Sequence, residues 1–157
     1  MLNNDVLRRI RYALNLNDRT MLEIFVLGHD HQITRDSLLA LLKKENEEGF
    51  VAMSNQQLTD FLDGLITYKR GQSDKSAAPV HVELDNNVIL RKLRIALAFK
   101  DEDILTILKV ADFILSKHEL SAFSRHKDHK HYRKCGDQIL RHFLQGLTIH
   151  LRHTPSD

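Results

Sequence analysis

The chain states one motif twice. Asn3-Asn4-Asp5-Val6-Leu7-Arg8-Arg9-Ile10-Arg11-Tyr12-Ala13-Leu14 returns as Asn86-Asn87-Val88-Ile89-Leu90-Arg91-Lys92-Leu93-Arg94-Ile95-Ala96-Leu97. With residues 3–27 set against 86–110, identical residues meet at Asn3, Asn4, Leu7, Arg8, Arg11, Ala13, Leu14, Asp18, Leu22 and Ile24. After a one-residue slip, 33–65 align with 115–147, where Leu38, Ala40, Gln56, Leu58, Phe61, Leu62, Gly64 and Leu65 find identical partners. Self-similarity at a fixed spacing is the mark of a repeated structural unit, so the fold must consist of two like modules.

Each module holds about 65 residues, near the lower limit for a self-sufficient core, so the two are expected to pack on each other. With 42% apolar and 28% charged residues, the chain has the balance of a folded globular protein rather than a disordered one. No run approaches the ~18 apolar residues of a membrane span. The first residues lack the basic and apolar regions of a secretory signal. A lone cysteine forms no internal disulfide and fits a reducing compartment. The expectation is a cytoplasmic protein that engages no membrane.

Within each module the apolar spacing predicts four helices. Val6, Leu7, Ile10, Ala13 and Leu14 share one face of a first helix over 4–14, with Asn3 or Asn4 as its cap and Asn86 or Asn87 in the second copy. Asp18 and Asp101 read as caps of a second helix. That helix is apolar almost all round (Met21, Leu22, Ile24, Phe25, Val26 and Leu27), which suggests the buried centre of the module. Gly28 reads as a left-handed stop. Third helices follow Thr34 and Ser116, and a fourth helix follows Ser54, its apolar stripe repeated by Leu140, Phe143, Leu144, Leu147 and Leu151. Ser54-Gln57 and Ser116-Glu119 have capping-box spacing. Gly64 and Gly146 fall inside the fourth helix, where glycine costs about 1 kcal/mol relative to alanine. That cost, met twice, points to a close helix–helix contact, and a contact between modules is the expectation. The fold class is therefore all-α: a first repeat over 1–68, a linker over 69–84, a second repeat over 85–152 and a frayed tail over 153–157. The modules are expected to pack through their second or fourth helices about an approximate twofold axis. Val80 to Leu84 alternate like a strand, but with no partner strand they read as an extended linker end.

The duplication also permits a subtraction. Between the third and fourth helices the first module reads Lys43-Lys44-Glu45-Asn46-Glu47-Glu48-Gly49-Phe50, whereas the second reads Arg125-His126-Lys127-Asp128-His129-Lys130-His131-Tyr132-Arg133-Lys134. Residues 117–142 hold seven Lys/Arg against three Asp/Glu, in a chain whose formal net charge is only +2. The fold does not need the basic version, so Arg125, Lys127, Lys130, Arg133 and Lys134 are candidates for holding phosphate groups of RNA or DNA. The bland readings are a solvated loop, or a surface that meets an acidic protein face. Arg8, Arg11, Arg91 and Arg94 form a second basic feature, two copies of one helix face that could grip an extended anion. Against that, Asp5, Asp18 and Asp101 stand close enough in sequence to neutralise them. His126, His129 and His131, with Cys135 or Asp128, have the residue types of a zinc or copper site, but their spacing matches no recognised ligand framework.

Catalytic signatures are missing. There is no glycine-rich phosphate loop, no metalloprotease motif and no nucleophile elbow, so no cofactor is implied and a non-enzymatic role is expected. Cys135 aligns with Met53, which suggests an apolar filler rather than a nucleophile. The opening Met1-Leu2-Asn3-Asn4-Asp5-Val6-Leu7-Arg8-Arg9-Ile10, together with Glu119-Leu120-Ser121-Ala122-Phe123 and Tyr132-Arg133-Lys134-Cys135-Gly136-Asp137, resembles the bacterial YehS-like family over essentially the whole chain. The resemblance implies a short soluble bacterial protein with a duplicated helical module and unknown function, and it carries over no site residues. The sequence thus favours a binding or adaptor protein with a polyanion ligand; the runner-up is a protein–protein module or homo-oligomer.

Overall fold

Eight helices, with no strand among the described residues, follow from these apolar stripes. The computed structural model describes residues 1–71 and 83–153, His153 by its backbone alone. The first module carries α1 (Asn3–Leu14), α2 (Asp18–Leu27), α3 (Arg35–Leu42) and α4 (Asn55–Arg70). The second carries α5 (Asn86–Leu97), α6 (Asp101–Val110), α7 (Lys117–Ala122) and α8 (Asp137–His153). α4 runs through Lys69 and Arg70 into the segment read as linker, two cations that suit a helix C-terminus. Residues 72–82 of that linker, with the strand-like start at Val80, and 154–157 of the tail lie outside the described residues. Even the left-handed residues come in register: Asn15 and Ala98 (φ 54° and 55°) follow the first helices, and His29 and Asp112 (73° and 60°) follow the second.

Several expected caps move by a residue or more. Leu2 precedes α1, and the Asp5 carboxylate accepts its N–H at 3.0 Å. Asp85 caps α5 by accepting from the Val88 N–H at 2.9 Å. Asn17, not Asp18, caps α2 by accepting from the Thr20 N–H at 2.8 Å. At α6 the Lys100 N–H is taken by Asp103, 2.7 Å away. Gly28 has an ordinary φ of −86° and is no left-handed cap; His29 takes that conformation instead. The capping boxes at Ser54–Gln57 and Ser116–Glu119 form as their spacing indicates.

Packing between the modules is reciprocal. α4 lies against α2 of its own module and α5 of the other, while α8 lies against α6 and α1. Each module's first helix therefore rests on the other's last, the pattern a twofold axis produces. One apolar cluster joins Leu7, Ile10, Phe61 and Leu65 to Leu93, Phe143 and Leu147. The central helix is consequently the fourth, sandwiched between two neighbours, and not the second. Met21, Ile24 and Phe25 of α2 are buried, yet Val26 on its outer side is 42% exposed, and Val110 of α6 is 39% exposed.

The repeated glycines serve contacts within a module, not between modules. A β-carbon at Gly64 would sit 1.8 Å from the Ile24 carbonyl oxygen, and one at Gly146 would sit 2.0 Å from that of Ile107. Gly28 has the same duty: a β-carbon there would meet the Asp60 carbonyl oxygen at 1.7 Å. α2 and α4 touch backbone to backbone, as do α6 and α8.

Candidate functional site

The Asn-Asn pairs recur because they hold the loop between the third and fourth helices. Asn4 is 1% exposed; its amide donates to the Leu41 and Val51 carbonyls, both at 2.9 Å, and its oxygen accepts from the Met53 N–H at 2.9 Å. Asn87 repeats the set on Phe123 (3.0 Å), Arg133 (2.9 Å) and the Cys135 N–H (2.8 Å). One buried amide thus satisfies three backbone groups that neither helix nor sheet would pair. Asn3 and Asn86 add a second clasp, to the Met53 and Cys135 carbonyls and to the side chains of Asn55 and Asp137.

So held, the two loops run alike. The Val51 N–H reaches the Ala40 carbonyl as Arg133 reaches Ala122, and Glu47 reaches Lys44 as His129 reaches His126. The hydrogen-bond frame is shared. The backbone parts at Gly49, whose φ is 86°, while its counterpart His131 does not take a positive φ, and the surface differs throughout.

On the second loop, Asp85, Val88, Arg91, Arg125, Lys127 and Tyr132 line a cleft of about 330 Å³. Its decisive member is Arg91. In the first module the equivalent Arg8 pairs with Asp5 and donates to the Lys43 carbonyl at 2.8 Å. Val88 stands in the place of Asp5, and Arg91 is exposed with no hydrogen bond or ion pair among the described residues. Arg125 donates to the His131 carbonyl at 3.2 Å, which braces the loop, and Lys127 lies 3.6 Å from Asp85. Lys130 and Lys134 are exposed on the same loop.

Other cations named from sequence are engaged elsewhere. Arg133 lies 3.4 Å from Glu119, whose carboxyl is held below its ordinary range, first by the Ser116 N–H and hydroxyl and then by Arg133. Arg11 and Arg94 face the first residues of the next helices, Asp18 at 3.4 Å and Asp101 at 2.5 Å. The four helix arginines therefore do not border one groove: Arg91 lines the loop cleft, while the Arg8 guanidinium is held at its own loop and only its stem borders the junction of α1 with α8.

The profile of the family described as "Protein of unknown function (DUF1456)" matches residues 3–71 and, a second time, residues 86–153. The chain belongs to this family. It is also 45% identical, over 149 residues and 94% of each chain, to "Uncharacterized protein YehS" of Escherichia coli (strain K12). No solved structure matches it. The double family match falls on the two modules, so the family's unit is the four-helix module. Its description names no ligand, and the chemistry has to come from side chains.

Three such groups can be placed further. The Cys135 thiol is 3% exposed, and burial, with Asp85 and Asp137 adding, pushes it up to about 12, which suits a core filler and not a nucleophile. His126, His129 and His131 are not gathered about a point. Two of them accept backbone N–H groups, Asp128 to His126 (3.3 Å) and His131 to His129 (3.0 Å), and no group of three metal-binding side chains occurs among the described residues. Among those residues, too, no helix is long and apolar enough to cross a membrane. Sequence reasoning missed Asp85 and Tyr132 in the cleft. The signals were there: Asp85 immediately precedes the repeated Asn-Asn, and Tyr132 aligns with Phe50.

Proposed function

We propose that the chain is a non-enzymatic binding protein whose second module takes phosphate groups of RNA or DNA on the cleft around Arg91 and its loop. The observation that carries this reading is the unmatched guanidinium of Arg91. Val88 stands where the first module supplies the carboxylate that pairs with Arg8, and the adjoining loop keeps the same backbone hydrogen bonds while its acidic residues give way to cations. Arg91, Lys130 and Lys134 present their charge to solvent, Lys127 shares its charge with Asp85 at 3.6 Å, and the four act together on a polyanion. Phosphate contacts of this kind give affinity without base readout. Arg125 and Arg133 serve mainly to fix the loop, through His131 and Glu119.

Titration with labelled RNA and DNA at rising salt tests the reading. Several phosphate contacts give a log–log slope of about −0.9 per contact on duplex DNA and about −0.7 on single strands. Replacing Arg91, Lys127, Lys130 and Lys134 by Gln should remove most of the binding and flatten the slope, with the melting temperature nearly unchanged. Absence of binding at low salt ends the nucleic-acid reading. A wild-type protein that instead associates with itself, and dissociates as salt rises, favours the acidic first-module loop as the partner.

A further inference from the structure

The twofold relation sets the junction of α4 with α5 against the junction of α1 with α8, and the two are finished differently. In the α4/α5 junction Lys92 of the first helix meets Asp63 of the fourth at 2.5 Å, both largely covered. The equivalents in the α1/α8 junction are Arg9 and Gln145. Here the cation is kept and the carboxylate has become a neutral amide. Arg9 is exposed and has no hydrogen bond or ion pair among the described residues. The space left is a groove of about 360 Å³, bordered by Arg8, Arg9, Tyr12, Leu144, Gln145 and Ile149, with Thr148 between them. That volume lies within the usual range for small-molecule sites. One side of the groove is held in place by Arg152, which sits 3.8 Å from the centre of the Tyr12 ring and donates to the Tyr12 carbonyl at 2.7 Å and 3.1 Å.

We infer that this groove binds a small organic carboxylate from solution, which replaces the missing Asp63 equivalent. The carboxylate meets the Arg9 guanidinium and the Gln145 amide, both donors. The apolar body of the ligand lies on Tyr12, Leu144 and Ile149. Arg8 contributes only its alkyl stem, because its guanidinium is already taken by Asp5 and the Lys43 carbonyl. The class follows from the internal template: the other junction uses a carboxylate at this point, attached to the chain. The site is separate from the loop cleft and does not depend on the nucleic-acid reading.

The test is a titration of the ¹⁵N-labelled full chain with hexanoate, followed by amide shifts, with hexan-1-ol as the uncharged control. Saturable shifts at Tyr12, Gln145, Thr148 and Ile149 are expected with hexanoate. Arg9→Gln should weaken binding at least tenfold. Gln145→Asp should abolish it while keeping or raising the melting temperature, because it rebuilds the Lys92–Asp63 pair in place of the ligand. Conversely, Asp63→Gln should open a second carboxylate site beside Lys92. The inference is overturned if hexanoate gives no saturable shift, if hexan-1-ol binds as well, or if Gln145→Asp binds as the wild type does.

Discussion

Arg8 meets Asp5 and the Lys43 carbonyl; Arg91, at the same place in the other module, meets neither. Lys92 meets Asp63, while Arg9 is set opposite Gln145. Each module thus leaves one cation unmatched that its twin neutralises. By contrast, the positions buried in both modules, Asn4 and Asn87 aside, stay apolar, and several of them keep the same residue. Asn4 and Asn87 make the same three hydrogen bonds, Gly64 and Gly146 admit the same close backbone, and Phe61 and Phe143 are both fully buried. Burial makes a residue's alternatives expensive, so the two copies agree there; on the surface they are free to part. Where the copies differ is therefore where function should be sought.

The largest effects should come from the shared backbone contacts. Gly64→Ala and Gly146→Ala each place a carbon within 2.0 Å of a carbonyl oxygen, which only a shift of whole helices relieves. Each is expected to destabilise by about 3 kcal/mol, above the propensity gained. Chemical denaturation of the two variants measures this. Equal losses would support two equivalent seams, and a loss in only one would break the symmetry.

Next come the asparagines. Asn4→Ala or Asn87→Ala strands one carbonyl and one N–H that are buried and a second carbonyl that is part-buried, for an expected loss of about 2 kcal/mol each. Hydrogen exchange should show the loop amides opening in the mutated module only, at Met53 or at Cys135. Exchange spreading evenly over both modules would show that the clasp supports the whole fold instead of its own loop.

The helices were legible in the sequence because amphipathic spacing and capping residues are local. Leu58, Phe61, Leu62 and Leu65 mark one face, and Ser54 with Gln57 marks its start, whatever lies across from them. The partners of those faces were not legible. Val26 and Val110 made the second helix look central, although an apolar residue on a helix surface need not be covered. The role of Asn4 escaped notice for the same reason. An Asn near a helix start reads as a cap, and only the return of the chain at 41–53 shows that its amide faces inward. At the candidate sites the sequence set Arg91 with the helix arginines and apart from Arg125 and Lys127. Only the fold brings the three to one cleft, and only the fold tells a braced guanidinium from an unmatched one.

A smaller effect belongs to Asp137, which stands where the first module has Asn55. Its carboxyl is held below the ordinary aspartate range, chiefly by the hydrogen bond from the Met1 ammonium (2.7 Å) and then by Asn86. A carboxyl lowered in the fold stabilises it fully above its unfolded value of about 4. That contribution fades as the pH falls through 4 and below. Asp137→Asn should cost less than about 1 kcal/mol at neutral pH, since the group is half-exposed. The gap between variant and wild type should close in acid, as thermal melts at graded pH would show. A gap that widened there would assign the stabilisation to another group.

The smallest expected change in stability is also the sharpest comparison. If one scaffold carries two surfaces, residues 125–132 can be replaced by the first-module sequence of 43–50 with little loss, within about 0.5 kcal/mol. The backbone bonds from Arg133 to Ala122 and from Asn87 to its carbonyls remain available, because 43–50 already supports their equivalents. The graft removes Arg125, Lys127, Asp128 and Lys130 and brings in Lys43, Lys44, Glu45, Glu47 and Glu48, so the charge of the segment goes from +2 to −1. Nucleic-acid affinity should then vanish at every salt concentration while the fold persists. The reverse graft, of 125–132 into 43–50 with Gly49 kept because its φ is 86°, is the more demanding experiment. Arg8 would still be held by Asp5, so the transplanted loop should bind weakly until Asp5→Val frees that guanidinium as Val88 frees Arg91. Full binding without that second change would mean that the loop alone suffices, and that the unmatched arginine beneath it contributes nothing.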